Sequence, residues 1–276
     1  MKNIVKSRIK LLVAMIGVVM LIGSCEYQEV ADTSWPDQLI YMPAAYYNNY
    51  MIDAVPAAIG YSPTVGYPTR FLVDTVARKF NVLLGAYRSG KDNAGSFVVD
   101  IAVNTDTINQ LLAIVGSLPA GTLLLPSDQY SIPASVEMKD GMDIAKFDLS
   151  IDLDYLLANY PAQTFALAVE ISSTARKTNP KLATTIIVVD TKIMQPTASF
   201  TTTANGTTLT FNNTSLYGTK FTWTFGDGSA DQVTTTAKNE VVSHTYASGT
   251  YTASLTVVGV ADYAQKSVAT AVKVIP

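Results

Sequence analysis

One histidine, His244, and one cysteine, Cys25, are all that this chain of 276 residues offers of the two side chains most often used in catalysis. A single imidazole cannot supply the ligand pair of a zinc site. Neither a Gly-x-Ser-x-Gly elbow nor a phosphate-binding glycine loop occurs. The chemistry left is a carboxylate pair of the kind that cleaves glycosides. Asp152 and Asp154 stand two apart, and Asp140 and Asp143 flank Gly141. Solvated turn and helix-cap carboxylates account for both sets more simply, so the expectation is no catalysis, no cofactor and no bound metal. Asp227, between Gly226 and Gly228, offers a carboxylate to a cation. An Asp in a turn more often accepts from its own backbone, and no Asp-x-Asp-x-Asp loop adjoins it.

Aromatic rings are the other resource. Six of the fifteen tyrosines fall between positions 41 and 67, with Trp35 just upstream, which concentrates them in one stretch. Residues 44–68 are rich in Pro, Gly, Asn and Ala and poorly periodic, which predicts a loop, and long loops inside compact domains are usually functional or disordered. Exposed Tyr faces stack on the apolar face of a pyranose ring, and Asn48, Asn49 and Asp53 are placed to take its hydroxyls. Tyr46, Tyr47, Tyr50, Tyr61 and Tyr67 are therefore candidate glycan-binding residues. The alternative stays open: the same rings pack the loop onto its domain, bodies buried and hydroxyls wet.

The elements that position these residues begin after a leader. Lys2, Lys6, Arg8 and Lys10 precede an apolar run from Leu11 to Ile22, followed by Gly23-Ser24-Cys25. A basic start, a short apolar segment and small residues before the cut describe a secretory signal, too short to span a bilayer. With Cys25 directly after Gly-Ser, it resembles a bacterial lipoprotein signal. That resemblance implies cleavage after residue 24, lipidation of Cys25 and attachment to a membrane, stable because two or three acyl chains hold where one does not. Losing four basic and no acidic residues would move the net charge from −3 to −7. An acidic surface argues against nucleic acid as a partner, and a lipidated thiol leaves no disulfide. Glu26, Glu29 and Asp32 follow the cysteine in a polar tether (residues 25–37), which resembles the export signals of Bacteroidetes surface lipoproteins and implies outward display on the outer membrane.

Beyond the tether the texture is β. Strands are predicted at 38–42, 71–73, 79–84, 96–103, 144–151, 163–171 and 186–189 from short β-branched and alternating runs. Ile108, Leu111, Leu112 and Val115 form a helical stripe over 105–118, capped by Asn104 or Thr105, and 152–160 allows a short helix. After 193–196 the composition changes: Thr alternates with apolar residues. Leu209 and Phe211, then Phe221, Trp223 and Phe225, then Tyr251, Ala253, Leu255 and Val257 each mark one buried strand face. The fold class expected is all-β, two tandem Ig-like β-sandwiches (38–192 and 196–276), the first with one or two short helical connections.

Trp223-Thr-Phe225-Gly226-Asp227-Gly228, His244-Thr-Tyr246 and Gly249-Thr-Tyr251 resemble the PKD domain. The resemblance covers 196–276 and implies about seven strands, no catalysis, and a role as spacer or as a protein or carbohydrate contact. It gives His244 a structural place. Residues 38–192 resemble the domain-of-unknown-function family 1735 of Bacteroidetes surface lipoproteins. The carriers are Ile40-Tyr-Met-Pro43, Asp100-Ile-Ala-Val103, Leu123 to Tyr130, Val136 to Gly141 and Phe165 to Ser172. That resemblance implies surface glycan biology beside an outer-membrane uptake complex and supplies no site residues. Asp74-Thr75-Val76 and Asp106-Thr107-Ile108 resemble the O-glycosylation motif of the same bacteria, Thr107 also falling at a predicted helix start. The resulting expectation is a non-catalytic surface lipoprotein binding poly- or oligosaccharide, or else an adhesion or scaffold protein with a protein partner.

Overall fold

The computed structural model describes residues 37–55, 69–234, 241–261 and 266–275. Cys25, Trp35, Tyr61 and Tyr67 lie outside them. From Gln38 the chain forms one compact unit, with four sheets among the described residues.

Among the described residues twelve strands build the first sandwich: β1 (Leu39–Tyr41), β2 (Tyr50–Ile52), β3 (Phe71–Asp74), β4 (Lys79–Arg88), β5 (Phe97–Val103), β6 (Thr122–Leu124), β7 (Tyr130–Ser131), β8 (Ser135–Met138), β9 (Ile144–Asp152), β10 (Thr164–Ser172), β11 (Lys177–Thr178) and β12 (Thr184–Asp190). One sheet runs β11-β1-β4-β9-β7, with β3 also on β4; the facing sheet runs β2-β12-β10-β5-β8, with β6 also on β10. Alternation decides which side chains meet between the sheets. Phe97, Val99 and Ile101 of β5, Phe80, Val82 and Leu84 of β4, and Phe165, Leu167, Val169 and Ile171 of β10 point into one core. The chain enters at the Arg88 end of β4, where Ser89 Oγ accepts from Leu39 N, and leaves at the opposite end, where Asp190 of β12 pairs with Thr164.

β10 and β12 read as unbroken apolar runs because both their faces are covered. The outward Ala166, Ala168 and Val188 pack under Ile108 and Leu118. Two alanines leave room for the helix Thr105–Leu112 to lie across the sheet, and Asn104 Oδ1 accepts from Thr107 N at 3.0 Å to cap it. The cap contributes about 1 kcal/mol. The helix is shorter than the stripe predicts. Ser117 Oγ donates to the carbonyls of Leu111 and Ile114, Gly116 turns the chain at φ 85°, and Leu112 and Val115 are left exposed. A second helix, Leu153–Ala158, is capped by Asp152 as predicted.

The expectation of a continuous loop from 44 to 68 needs correction. Pro43–Tyr46 is a 3-10 turn, and β2 pairs in parallel with β12, Tyr50 opposite Ile187 and Ile52 opposite Val189. Residues 56–68 are outside the described set.

Among the described residues the second sandwich has seven strands: β13 (Phe200–Asn205), β14 (Thr208–Asn213), β15 (Lys220–Thr224), β16 (Gln232–Thr234), β17 (Val241–Thr245), β18 (Gly249–Val258) and β19 (Lys266–Ile275). They form a three-stranded sheet, β13-β14-β17, over a four-stranded one, β16-β15-β18-β19. Trp223, almost fully buried, centres the core, with Phe200 and Phe211 centroids at 5.2 and 5.4 Å. The threonines between the apolar residues line the outer faces. Between the sandwiches, Ile193 and Met194 are fully buried in the first core, and Ala261 reaches that core from the second sandwich.

Candidate functional site

The tyrosine cluster divides by depth. Ala44 of the 3-10 turn is buried, and the turn closes through Ala45 N to Met42 O (3.0 Å) and Tyr47 N to Ala44 O (3.3 Å). This turn holds Tyr46 out with 80% of its surface exposed. Behind it the rings stack inward. Tyr47 stands edge-on to Tyr46 at 6.0 Å, and Tyr50 lies 6.0 Å beyond Tyr47. The Arg70 guanidinium sits 5.1 Å from the Tyr47 ring centre and 5.0 Å from that of Tyr50, and its Nη1 donates to Met51 O at 2.8 Å. Asn49 Nδ2 donates to Ser117 O at 2.9 Å and ties the turn to the loop after the helix. The result is one presented ring on a rigid aromatic and cationic support.

Tyr50 is corrected as a binding residue. It is 0% exposed, so no sugar can reach its ring. Parallel pairing of β2 with β12 carries it into the core. Burial pushes its hydroxyl well above the ordinary tyrosine value, opposed by the positive charge of Arg70, and the hydroxyl has no hydrogen-bond partner among the described residues. Tyr47 is half-buried and supports the platform. Arg70 was not legible as part of the site, since nothing in the spacing joins it to Tyr47 and Tyr50.

Three of the four paired carboxylates, Asp152, Asp154 and Asp140, serve structure. Asp152 Oδ1 accepts from Tyr155 N at 3.0 Å while Oδ2 faces Lys79 Nζ at 3.5 Å. Asp154 is ion-paired with Arg78, whose hydrogen bond holds its carboxyl below the usual carboxylate range. Asp140 Oδ1 accepts from Gly95 N at 2.5 Å. The same end of the sandwich holds Arg88, 4% exposed, whose guanidinium donates to the carbonyls of Met142 (2.6 Å), Lys139 (2.7 Å), Ala94 and Gly95 (both 3.1 Å). Thr75 is exposed in the turn between β3 and β4; Thr107 lies in the first turn of its helix.

In the second sandwich the Gly-Asp-Gly turn and the histidine form one assembly. Gly226 (φ 81°) passes so close to β18 that a Cβ would sit 2.3 Å from Thr252 O. Asp227 Oδ1 accepts from Ser229 Oγ (2.5 Å) and Ser229 N (3.0 Å), and Oδ2 lies 2.7 Å from His244 Nε2. These bonds, Ser229 first and His244 next, hold the carboxyl far below its ordinary value. The His244 ring lies flat on Phe225 at 4.0 Å, with Tyr246 edge-on at 4.6 Å. Tyr246 hydroxyl donates to Phe225 O at 3.2 Å, and Tyr251 stacks on Tyr246 at 4.8 Å. A side chain at Gly249 would lie 2.9 Å from the Tyr251 hydroxyl. Burial and the Asp227 charge push Tyr246 up to about 12. His244 thus braces the turn. Among the described residues no group of three or more His, Cys, Asp or Glu is placed to hold a metal ion, and no helix is long and apolar enough to cross a membrane.

Residues 194–272 match the PKD domain family. Among solved structures, the first PKD domain of a Vibrio cholerae metalloprotease is 22% identical, covering 29% of this chain and 96% of that one, with a TM-score of 0.25. A multidomain Bacteroides ovatus protein that includes the domain-of-unknown-function family 1735 is 14% identical over 65% of this chain and 52% of its own, with a TM-score of 0.32. An auxiliary nutrient binding protein of Bacteroides thetaiotaomicron is 15% identical over 83% and 71%, with a TM-score of 0.35. None of the curated proteins matches the chain.

Proposed function

We propose that this chain, whose residues 194–272 are a PKD domain, is a non-catalytic lipoprotein that binds glycans. Lipid on Cys25 would anchor it in the outer membrane facing the cell exterior, beside a polysaccharide-uptake complex. The observation that carries the reading is Tyr46: a large aromatic ring, 80% exposed, held on Tyr47, Tyr50 and Arg70. A ring exposed without structural need is suited to stacking on the apolar face of a sugar, and its fixed support lowers the entropy lost on binding. Asn48, exposed beside it, supplies a hydroxyl partner. The structural engagement of Asp140, Asp152 and Asp154 supports binding without hydrolysis. Display of many copies on a membrane would raise weak single-site affinity to useful avidity. The PKD domain, leaving the first sandwich at the end opposite Gln38, would act as a spacer.

The test is affinity electrophoresis of soluble protein beginning at Glu26 through gels containing single polysaccharides, beside Tyr46→Ala. Retardation by a glycan that Tyr46→Ala loses is the expected result. Retardation unchanged in the variant moves the site elsewhere, and no retardation across xylan, mannan, glucan and galactan gels overturns glycan binding.

A second reading, adhesion or scaffolding, rests on β19. This ten-residue edge strand pairs only with β18 among the described residues and exposes Val268, Val272 and Val274 on one face. A free, long, apolar strand edge is what strand addition by a protein partner uses.

A further inference from the structure

Directly after β2, the two sandwiches enclose a crevice of 270 Å³. The first sandwich lines it with Asp53 and Val55, the second with Ser215, Leu216, Tyr217 and Phe221. Tyr217 has φ 58°, a left-handed backbone that residues with side chains adopt rarely and that persists where the surroundings enforce it, often at ligand clamps. The surroundings here are clear. Leu216 is fixed by a two-bond bridge to Thr197 (both 2.9 Å), and Gly218 lies so close to its own sandwich that a Cβ would sit 2.4 Å from Val257. Held from both sides, Tyr217 crosses the junction and packs against the core of the first sandwich. Burial, with Asp190, Asp53 and Tyr160 nearby, raises its hydroxyl pKa and keeps it a neutral donor. Asp53 is exposed beside it.

We propose that this crevice is a second subsite, shared by the two sandwiches, for one ring of a neutral saccharide whose neighbouring rings reach the Tyr46 platform along the outer edge of β2. The inference rests on the glycan reading above and names the ligand more narrowly. From Asn49 to Asp53 the chain covers about 13 Å at strand rise, which suits an oligosaccharide and not a single sugar. Asp53 accepts from two ring hydroxyls, Tyr217 donates to a third oxygen, and Leu216, Val55 and Phe221 supply an apolar wall for the ring C–H face. The Asp53 carboxylate in its lining makes the crevice hostile to uronic and sulfated sugars, which would add a like charge. On this reading the PKD domain contributes residues to binding as well as length.

The experiment is titration calorimetry of the full chain, purified in detergent, with xylo-, manno- and cello-oligosaccharides from disaccharide to hexasaccharide. Asp53→Asn and Tyr217→Phe, which preserve shape and should melt with the wild type, are expected to weaken the hexasaccharide about tenfold, as loss of a charge-assisted or buried hydrogen bond does. They should leave the disaccharide unchanged, whereas Tyr46→Ala weakens both. Wild-type affinity for the hexasaccharide in both crevice variants, with Tyr46→Ala impaired, overturns the crevice and leaves the platform. The reverse pattern removes the platform and keeps the crevice. Absence of binding to every oligosaccharide by the wild type overturns both.

Discussion

Tyr46 and Tyr50 are four residues apart, and their replacement by alanine should do opposite things. Tyr50 is fully buried between the sheets, beneath Arg70 and against Tyr47. Cutting a large buried aromatic side chain back to alanine costs about 3–5 kcal/mol, from lost transfer energy and the cavity left behind. In a domain of about 150 residues, 1 kcal/mol lowers Tm by about 2–4 °C. Tyr50→Ala should therefore melt roughly 6–20 °C below the wild type, through the first sandwich. Tyr46 leaves little packing behind, and an exposed substitution changes stability by about 0.5 kcal/mol or less. Tyr46→Ala should melt within about 2 °C of the wild type and lose glycan retardation at temperatures where both are folded. Far-UV circular dichroism melts run beside affinity electrophoresis at 25 °C, an ordinary assay temperature, separate the two effects. The reasoning is refuted if Tyr46→Ala destabilises as much as Tyr50→Ala, or if Tyr50→Ala melts with the wild type.

Three further outcomes follow from the same geometry. Gly226→Ala should destabilise the PKD domain by about 3 kcal/mol or more, since left-handed strain of roughly 1–2 kcal/mol adds to a Cβ placed 2.3 Å from Thr252 O; urea unfolding followed by tryptophan fluorescence reads it. The Asp227 carboxyl has a folded pKa below its unfolded value of about 3.9. Its contribution is thus present above about pH 4 and lost as pH falls towards the folded value. Asp227→Asn should flatten the acid limb of urea midpoints measured from neutral pH downward, and an unchanged slope counts against the His244–Asp227–Ser229 assembly. Arg88→Met should cost about 3 kcal/mol, because four carbonyls lose their donor at a buried site; a melt within about 1 °C of the wild type would show those carbonyls to be solvated instead.

Much of the fold was legible because its signals are local. A pleated strand repeats every two residues, so Phe221-Thr-Trp223-Thr-Phe225 states its own buried face, and Phe97, Val99 and Ile101 state theirs. Asn104 and Asp152 announce helix starts by a bond made within three residues. The turn at Gly226-Asp227-Gly228 is written in residues that tolerate positive φ, and the place of His244 followed from its position in the PKD pattern. The helix ends at Leu112, before its apolar stripe does, because its length depends on what lies beneath it. The stripe Ile108, Leu111, Leu112, Val115 continues in sequence, but the sheet surface offered by Ala166, Ala168 and Val188 does not.

The candidate site shows where locality ends. The sequence by itself determined that an unusual density of tyrosine lies between positions 41 and 67 and that two β-sandwiches follow one another. It could not rank Tyr46, Tyr47 and Tyr50, since the three share residue type and neighbourhood. Pairing of β2 with β12, strands separated by more than a hundred residues, sends Tyr50 into the core and leaves Tyr46 in water. Arg70 joins the rings, and Tyr217 meets Asp53 at the junction, for the same reason. Depth and proximity are properties of the closed chain: they are set by which distant surfaces pack, and no window of sequence contains both partners.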